Sequence, residues 1–547
     1  MNQCKQCKNS FEIRDFDQAF YTKINVPAPK NCPDCRLIRR FMERNPKNLS
    51  YRKCDFSGKQ ILSQYHKDQP FPVYSSENWW SDHWDPLSFG RAFDLEQPFF
   101  EQFLELKRET PHRALFNTMG TIQNSDYNNC TAYIKNCYLI AESDYCEDCY
   151  FSNLLKKCTS VVDCSVCYED QLCYECIDCT NCYQLFYSQD CQNSTSSYFL
   201  KHCSSCADCI GCINQRHKQY MIFNKQYSKE EYEKHAFALH ANAGVEQLSQ
   251  KCDQFFITQP YKSLTAEQNE QSSGDHLFHS KNAFHCFDSM NLEDCAYCAK
   301  LSLGVKSSMD YNSWGNQSEL MYQCSSSGDN CYNLKFCVHC EVNMSDSEYC
   351  IECFSCSNCF GCVGLKKERF CILNKQYSES DYHLLKGKII EHMRQTGEWG
   401  EFFPIAVCPF GYNETLAMDA FPLTQKQALD KGFTWHEEVK YEPKLQTYVM
   451  PESIFDADES VTKEFLQCKC GKNFKIISQE FSFYQKLHIP LPHNCPLCRH
   501  KTRMSKRKPL TLWERTCMKC HMPIQTNYAP DRPETVYCEA CYLKEVY

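Results

Sequence analysis

Cysteine limits what this chain can fold into. It fills 44 of 547 positions while glycine fills 17, and it is clustered, with 16 cysteines between residues 126 and 223 and 13 between 275 and 375. Many are three apart, as in Cys173, Cys176, Cys179 and Cys182, in Cys203, Cys206, Cys209 and Cys212, and in Cys350, Cys353, Cys356, Cys359 and Cys362. Such segments either pack their thiols as small apolar groups or present them to metal ions. With 33 Tyr and 36 Phe in the chain, aromatic and thiol side chains must take over packing that Leu and Val usually supply.

A longer spacing favours packing. Lines of similar sequence begin at Asp126, Asp144, Asp163, Asn181 and Lys201, and again at Asp275, Asp294, Asp310, Asp329 and Ser347. Without helical periodicity or Pro/Gly hairpin turns, this reads as two β-solenoid tracts of about 18 residues per coil, equivalent residues stacking in ladders. Reduced cysteine suits a narrow coil interior, and Asp or Asn suits its corners. Two alternatives stay open, an array of zinc clusters and iron–sulfur clusters. "CADCIGC" and "CSNCFGC" are similar to ferredoxin runs, yet neither continues into Cys-Pro.

Both tracts close on the same wording. "CIGCINQRHKQYMIFNKQYSKEEY" (209–232) matches "CFGCVGLKKERFCILNKQYSESDY" (359–382) at an offset of 150. Ser228-x-x-Glu231 and Ser378-x-x-Asp381 predict helices running to about His240 and Thr396, which would cover the bare edge of each last coil. An amphipathic helix is expected from Leu95 to Glu109 and a short one from Thr424 to Lys431.

The two ends carry a different pattern. Cys4, Cys7, Cys32 and Cys35 form two short knuckles near the start, and Cys468, Cys470, Cys495 and Cys498 form two near the end. Four thiolates with no open position suit a structural tetrahedral Zn²⁺. At an offset of 463, Cys7, Phe11, Phe20, Tyr21, Asn31, Cys32 and Arg36 fall on Cys470, Phe474, Phe483, Tyr484, Asn494, Cys495 and Arg499. The shared pattern "FYxKxxxPxPxNCPxCR" resembles the probable zinc-ribbon family of treble-clef type, and the chain as a whole resembles uncharacterised cysteine-rich zinc-ribbon proteins of bacteria. That resemblance implies a ribbon at each end and no particular activity.

The same offset carries Cys54, Tyr65, Asp68 and Tyr74 onto Cys517, Tyr528, Asp531 and Tyr537, so a longer unit is duplicated. The carboxyl-terminal copy adds a complete set, Cys517, Cys520, Cys538 and Cys541, where the amino-terminal copy has Cys54, Ser57, Ser75 and Asn78. Three structural Zn²⁺ sites are expected, with Trp79 and Trp80 holding the shape of the module that lacks one.

Charge divides the chain. Residues 1–60 hold 13 Lys and Arg against 6 Asp and Glu, and residues 461–547 hold 15 against 7, in a chain of net charge -9. The middle is therefore strongly acidic. Basic segments follow the second knuckle at each end: Arg36, Arg39, Arg40 and Arg44, then Arg499, Lys501, Arg503, Lys506, Arg507 and Lys508. They are candidate contacts to RNA, DNA or a ribonucleoprotein, with the acidic centre as the competing partner and a protein partner also compatible.

A polar, cysteine-bearing start and the lack of a long apolar run argue against a leader or a membrane span, and place the chain in the cytoplasm, where thiols stay reduced. A secreted disulfide framework is the alternative. Phosphate-loop, GxGxxG, GxSxG and HExxH patterns are missing; "WHEEVK" (435–440) lacks the second histidine, and His217, His285, His339 and His436 read as isolated.

The fold expected is mainly β with small α+β zinc ribbons: a ribbon unit over 1–80, a helical linker over 81–115, one capped solenoid over 116–250, a linker over 251–274, a second capped solenoid over 275–398, a mixed α/β segment over 399–460 and a double ribbon over 461–547. The function expected is a non-enzymatic zinc-binding scaffold whose terminal ribbons engage a partner. The alternative is a redox or metal-handling protein whose central thiols bind zinc or iron–sulfur clusters.

Overall fold

The computed structural model describes residues 1–437, 442–446 and 448–546. The protein is mainly β, and its two largest sheets are parallel ladders formed by the two cysteine-rich tracts.

In the first tract the chain pairs in parallel with itself twelve residues on. Ile122 opposes Ile134, Asn129 opposes Ala141, Asn153 opposes Ser165, Tyr183 opposes Thr195 and Ile210 opposes Ile222. The repeating unit is a triplet. One residue bridges to the next turn, the next takes a left-handed conformation, as at Tyr133 (φ 53°), Asn136 (54°) and Leu139 (51°), and the third joins the buried core, as at Ile134, Cys137, Ile140, Cys146 and Cys149. The expected spacing of about 18 is thus corrected to twelve. Because the unit is three residues long, a shift of 18 still lays core thiol on core thiol, although it falls half a turn past the pairing partner.

Non-glycine residues pay about 1 kcal/mol for a left-handed conformation, and ladders of corner side chains offset part of it. Asn124 Nδ2 donates to Asn136 Oδ1 at 2.8 Å, and Asn181 Nδ2 to Asn193 Oδ1 at 2.7 Å. Inside, the thiols face their own backbone: Cys149 Sγ lies 3.3 Å from the carbonyl of Glu147 and 3.6 Å from that of Cys158. No cysteine is disulfide-bonded. Burial pushes the Cys173 thiol up to about 11 and the Cys149 and Cys203 thiols well above their usual range, which keeps them protonated.

The second ladder opens with an eleven-residue step (Ala266 opposite Leu277), takes up twelve (Gly274 opposite Cys286), lengthens to thirteen (Met309 opposite Tyr322, Tyr332 opposite Ser345) and returns to twelve (Ser357 opposite Arg369). The extra residue sits at one corner as a second left-handed residue, in the pairs Asn316/Gln317, Asp329/Asn330 and Val342/Asn343. These wider turns surround Tyr311, Met321 and Met344, bulkier than the thiols elsewhere in that core.

Each tract ends in an antiparallel hairpin, Met221–Ile222 with Lys225–Gln226 and Arg369–Ile372 with Lys375–Gln376, followed by a capped helix, Lys229–Phe237 or Glu379–Thr396. Ser228 and Glu231 exchange both capping-box bonds, whereas Ser378 receives the Asp381 N–H on its hydroxyl and donates that hydroxyl to the Asp381 carboxylate at 2.7 Å. The linker helix spans Phe99–Glu109 and the short helix Gln425–Asp430.

The two cysteine-bearing terminal units dock crosswise. Tyr21 of the amino-terminal unit meets Tyr322 of the second tract edge-to-face at 5.6 Å, and Tyr484 of the carboxyl-terminal unit meets Tyr174 of the first tract at 5.5 Å. The Val73–Tyr74 strand pairs with His112–Arg113 just before the first tract, and Thr535–Tyr537 pairs with Pro260–Lys262 just before the second. Each unit therefore clasps both tracts.

Candidate metal centres and the cleft between the tracts

Three four-cysteine groups converge as expected: Cys4, Cys7, Cys32, Cys35; Cys468, Cys470, Cys495, Cys498; and Cys517, Cys520, Cys538, Cys541. The backbone places them. Cys32 and Cys495 are the N-cap residues of helices Pro33–Met42 and Pro496–Lys506, each with proline in the first turn, so the second knuckle of each ribbon is a helix start.

Sulfur separations test the fit to a metal. Cys7 and Cys32 lie 3.7 Å apart, Cys470 and Cys495 3.9 Å, and Cys520 and Cys538 3.8 Å. A tetrahedral ion with metal–sulfur bonds of about 2.3 Å requires edges of about 3.8 Å. Burial opposes ionisation of Cys517, but the backbone N–H groups of Cys520 and Cys538 bring its thiol down to about 6. The groups suit a divalent ion closed off from further ligands, zinc included.

The fourth module has another arrangement. Cys54 Sγ receives the Ser75 N–H at 3.3 Å and Asn78 Nδ2 at 3.4 Å, and Ser75 Oγ receives the Asn78 N–H at 3.2 Å. Hydrogen bonds thus tie together positions that carry the four-cysteine set in the other copy. Beside them, Trp79 is fully buried, donates its indole N–H to the Pro111 carbonyl and packs edge-to-face on Trp80 at 4.8 Å.

The basic segments mostly face inward. Arg36 and Arg40 both bond Asp310, at 2.9 and 3.0 Å, and are buried. Arg44 reaches Glu142 at 2.7 Å, and Arg39 donates to the Phe403 carbonyl. At the other end Arg499 and Arg503 both bond Asp163, Arg507 bridges Asp178 and Asp288, and Lys508 reaches Asp275 at 3.2 Å. Lys501 and Lys506 are exposed. Asp163 and Asp310 both occupy left-handed corners, so the corner geometry of each tract presents the carboxylate that the ribbon helix grips.

Between the tracts runs a cleft of about 990 Å³, lined from one side by residues including Tyr133, Tyr145, Lys156 and Asp178 and from the other by Asp288, Lys300, Trp314 and Glu341. Tyr133 and Tyr145, one turn apart, are exposed and stacked at 4.6 Å and 6°. In one wall His276 bonds Asp190 through Nε2 and Asp275 through Nδ1, both at 2.8 Å. Burial works against its charged form, yet Asp275, Asp178 and Asp190 raise its pKa well above the usual value. No local spacing announces this seam, because its members, Asp178 and Asp190 on one side and Asp275 and His276 on the other, come from different tracts.

The histidines separate further. His339 is buried and stacked on Phe116 at 3.9 Å, His217 is exposed on the cleft, and His285 lies 3.9 Å from Asp34. His436 is not isolated, since its ring stacks on His66 at 3.7 Å. Residues 438–440 of "WHEEVK" lie outside the described residues.

No family model matches the chain, and no curated protein matches it. Among solved structures the chain is similar to a "putative acetyltransferase" from Desulfovibrio desulfuricans G20, with 9% identity over 45% of this chain and 70% of that one, at a TM-score of 0.10. At that score the likeness carries no argument. Among the described residues no helix is long and apolar enough to cross a membrane.

Proposed function

We propose that this chain is a non-enzymatic binding scaffold in which zinc ribbons act in cis as clasps on two closed, thiol-cored β-solenoids, and in which the cleft between them receives the partner. The observation that carries this reading is the pairing of Arg36 and Arg40 with Asp310 and of Arg499 and Arg503 with Asp163. Guanidinium groups held by buried carboxylates are not available to phosphates. Lys501 and Lys506 are what is left of the nucleic-acid surface expected of the ribbon helices.

The cleft alternates acids and bases, which disfavours a polyanion and suits a polar chain of mixed or no net charge, with Tyr133 and Tyr145 as a flat stacking platform. The redox or metal-handling alternative draws less support. The core thiols face backbone carbonyls, and among the described residues no three solenoid sulfurs lie within 4.8 Å of one another. Free thiols in such number suit a reducing compartment such as the cytoplasm.

Arginine-selective labelling of the native protein is expected to spare Arg36, Arg40, Arg499 and Arg503 and to reach them only on unfolding. Labelling of these four arginines in the native protein would overturn the cis-clasp reading, and tight, steeply salt-dependent binding of single-stranded RNA, read by anisotropy and abolished by Lys501→Glu/Lys506→Glu, would make the helix after the second knuckle, not the cleft, the binding surface.

A further inference from the structure

The three four-cysteine sets are not equally sheltered. One cysteine of the Cys4–Cys35 set falls short of full burial, two of the Cys468–Cys498 set do, and three of the last set do, where Cys520 is exposed and Cys538 and Cys541 are half-buried. The solenoid thiols stand at the other extreme, all buried except Cys130.

The last set also joins two elements that border the cleft. Cys538 lies between the strand Thr535–Tyr537, which pairs with Pro260–Lys262 ahead of the second tract, and the helix Glu539–Val546, which carries Cys541. That helix touches both sides: Tyr542 donates its hydroxyl to Asn214 Oδ1 of the first tract at 2.8 Å, and Glu539 meets Lys262 at 2.6 Å. Tyr542 and Leu543 line the cleft beside the last turns of the first tract. Cys520 Sγ and Cys538 Sγ lie 3.8 Å apart. Metal-bound cysteines are thiolates, the nucleophilic form, whereas thiols buried among apolar neighbours are inert.

We propose that Cys517, Cys520, Cys538 and Cys541 form an oxidation-sensitive latch, opened by a hydroperoxide, on the strand and helix that border the cleft. The exposed Cys520 thiolate attacks one peroxide oxygen, the O–O bond breaks, and the departing hydroxide takes a proton from solvent. The Cys538 thiolate then attacks the sulfenic sulfur, the S–S bond forms, the S–O bond breaks, and the second hydroxide also leaves as water. Two thiolates give up two electrons and the peroxide is reduced. Only Cys517 and Cys541 then remain as ligands, too few for a closed tetrahedral site, and the binding energy that folds the module is lost. The proposal rests on zinc occupancy of this set and not on what the cleft receives.

Hydrogen peroxide added to the zinc-loaded full chain, beside a chromogenic zinc chelator, tests it, with thiol alkylation mapping and amide exchange as further readouts. One zinc equivalent should leave first, as Cys520 and Cys538 become resistant to alkylation and exchange rises at 260–262 and 535–546. A thiol reductant with added zinc should reverse all three changes. Cys520→His keeps a ligand and removes the thiol that attacks, so the early equivalent should disappear; the mapping on the parent decides even where that variant fails to hold zinc. Loss of zinc from all three sets at one rate, earliest loss from either other set, or loss from the last set without faster exchange at 260–262 would each overturn the latch.

Discussion

At the amino-terminal clasp, Arg36 and Arg40 rely on one carboxylate, Asp310, supplemented by the neutral acceptors Asn312 and the Asn31 and Tyr297 carbonyls. At the carboxyl-terminal clasp, Arg499 and Arg503 share Asp163 but also have Glu480 at 3.1 Å and Glu175 at 3.5 Å. The outer modules differ in the same sense: four cysteines converge at 517–541, while hydrogen bonds and buried tryptophan hold 54–79. A duplicated sequence has therefore kept its docking geometry while exchanging the interactions that fasten it. Where the cysteine set is incomplete the module leans on aromatic burial, and where the four cysteines are complete the clasp also carries surplus acid.

The largest effect should come from the outer modules. Structural zinc sites contribute binding free energies of about 10–16 kcal/mol in small finger domains, and that energy is folding energy. Cys517→Ser should remove one zinc equivalent and make the chain after about residue 510 sensitive to protease. Cys54→Ala should leave zinc content unchanged and cost about 1–3 kcal/mol, the range for an unsatisfied buried donor, here Asn78 Nδ2 and the Ser75 N–H. Equal zinc loss in both variants would erase the distinction between the modules.

Next in size is the carboxylate at each clasp. Asp310→Ala leaves two buried guanidinium groups without an acid, which should cost about 3–5 kcal/mol in urea unfolding. Asp163→Ala should cost less, because Glu480 and Glu175 still face the arginines. An equal or larger loss for Asp163→Ala would show that the additional acids do not share the load.

How far these features can be read from sequence follows from the distance over which each is encoded. A cysteine knuckle is local: Cys4 and Cys7, or Cys517 and Cys520, must sit at fixed spacing, and Ser228 with Glu231 writes a helix start in four residues. The twelve-residue turn is hidden because its corners are not glycine; Tyr133, Leu139 and Val166 adopt left-handed conformations that composition does not announce. The destination of the arginines was open as well, since Asp310 lies 274 residues from Arg36 and Asp163 336 from Arg499. His436 looked isolated for the same reason: His66 and Glu414, which meet each other across 348 residues, carry no shared motif.

The smallest effect concerns the cores that the clasps enclose. In the first tract an inward position is taken by Asp170, which is buried, accepts the Cys182 N–H on Oδ1 at 2.8 Å and has no hydrogen-bond partner on Oδ2. Burial pushes its carboxyl up to about 8. A folded-state pKa above the unfolded one means that the native protein holds the proton more tightly, so this group's contribution is complete below the unfolded value near 4 and is lost as pH rises through about 8. Between about pH 7 and 8 the loss amounts to about 1 kcal/mol. Asp170→Asn keeps the acceptor for Cys182 and removes the titration, so its unfolding midpoint should hold over that interval while the parent's falls. The gap between the two should close toward pH 4, and the Asp310→Ala background, which weakens the other clasp, should leave it unchanged. A parallel pH response in Asp170→Asn and the parent would assign the titration elsewhere and remove this difference between the two halves.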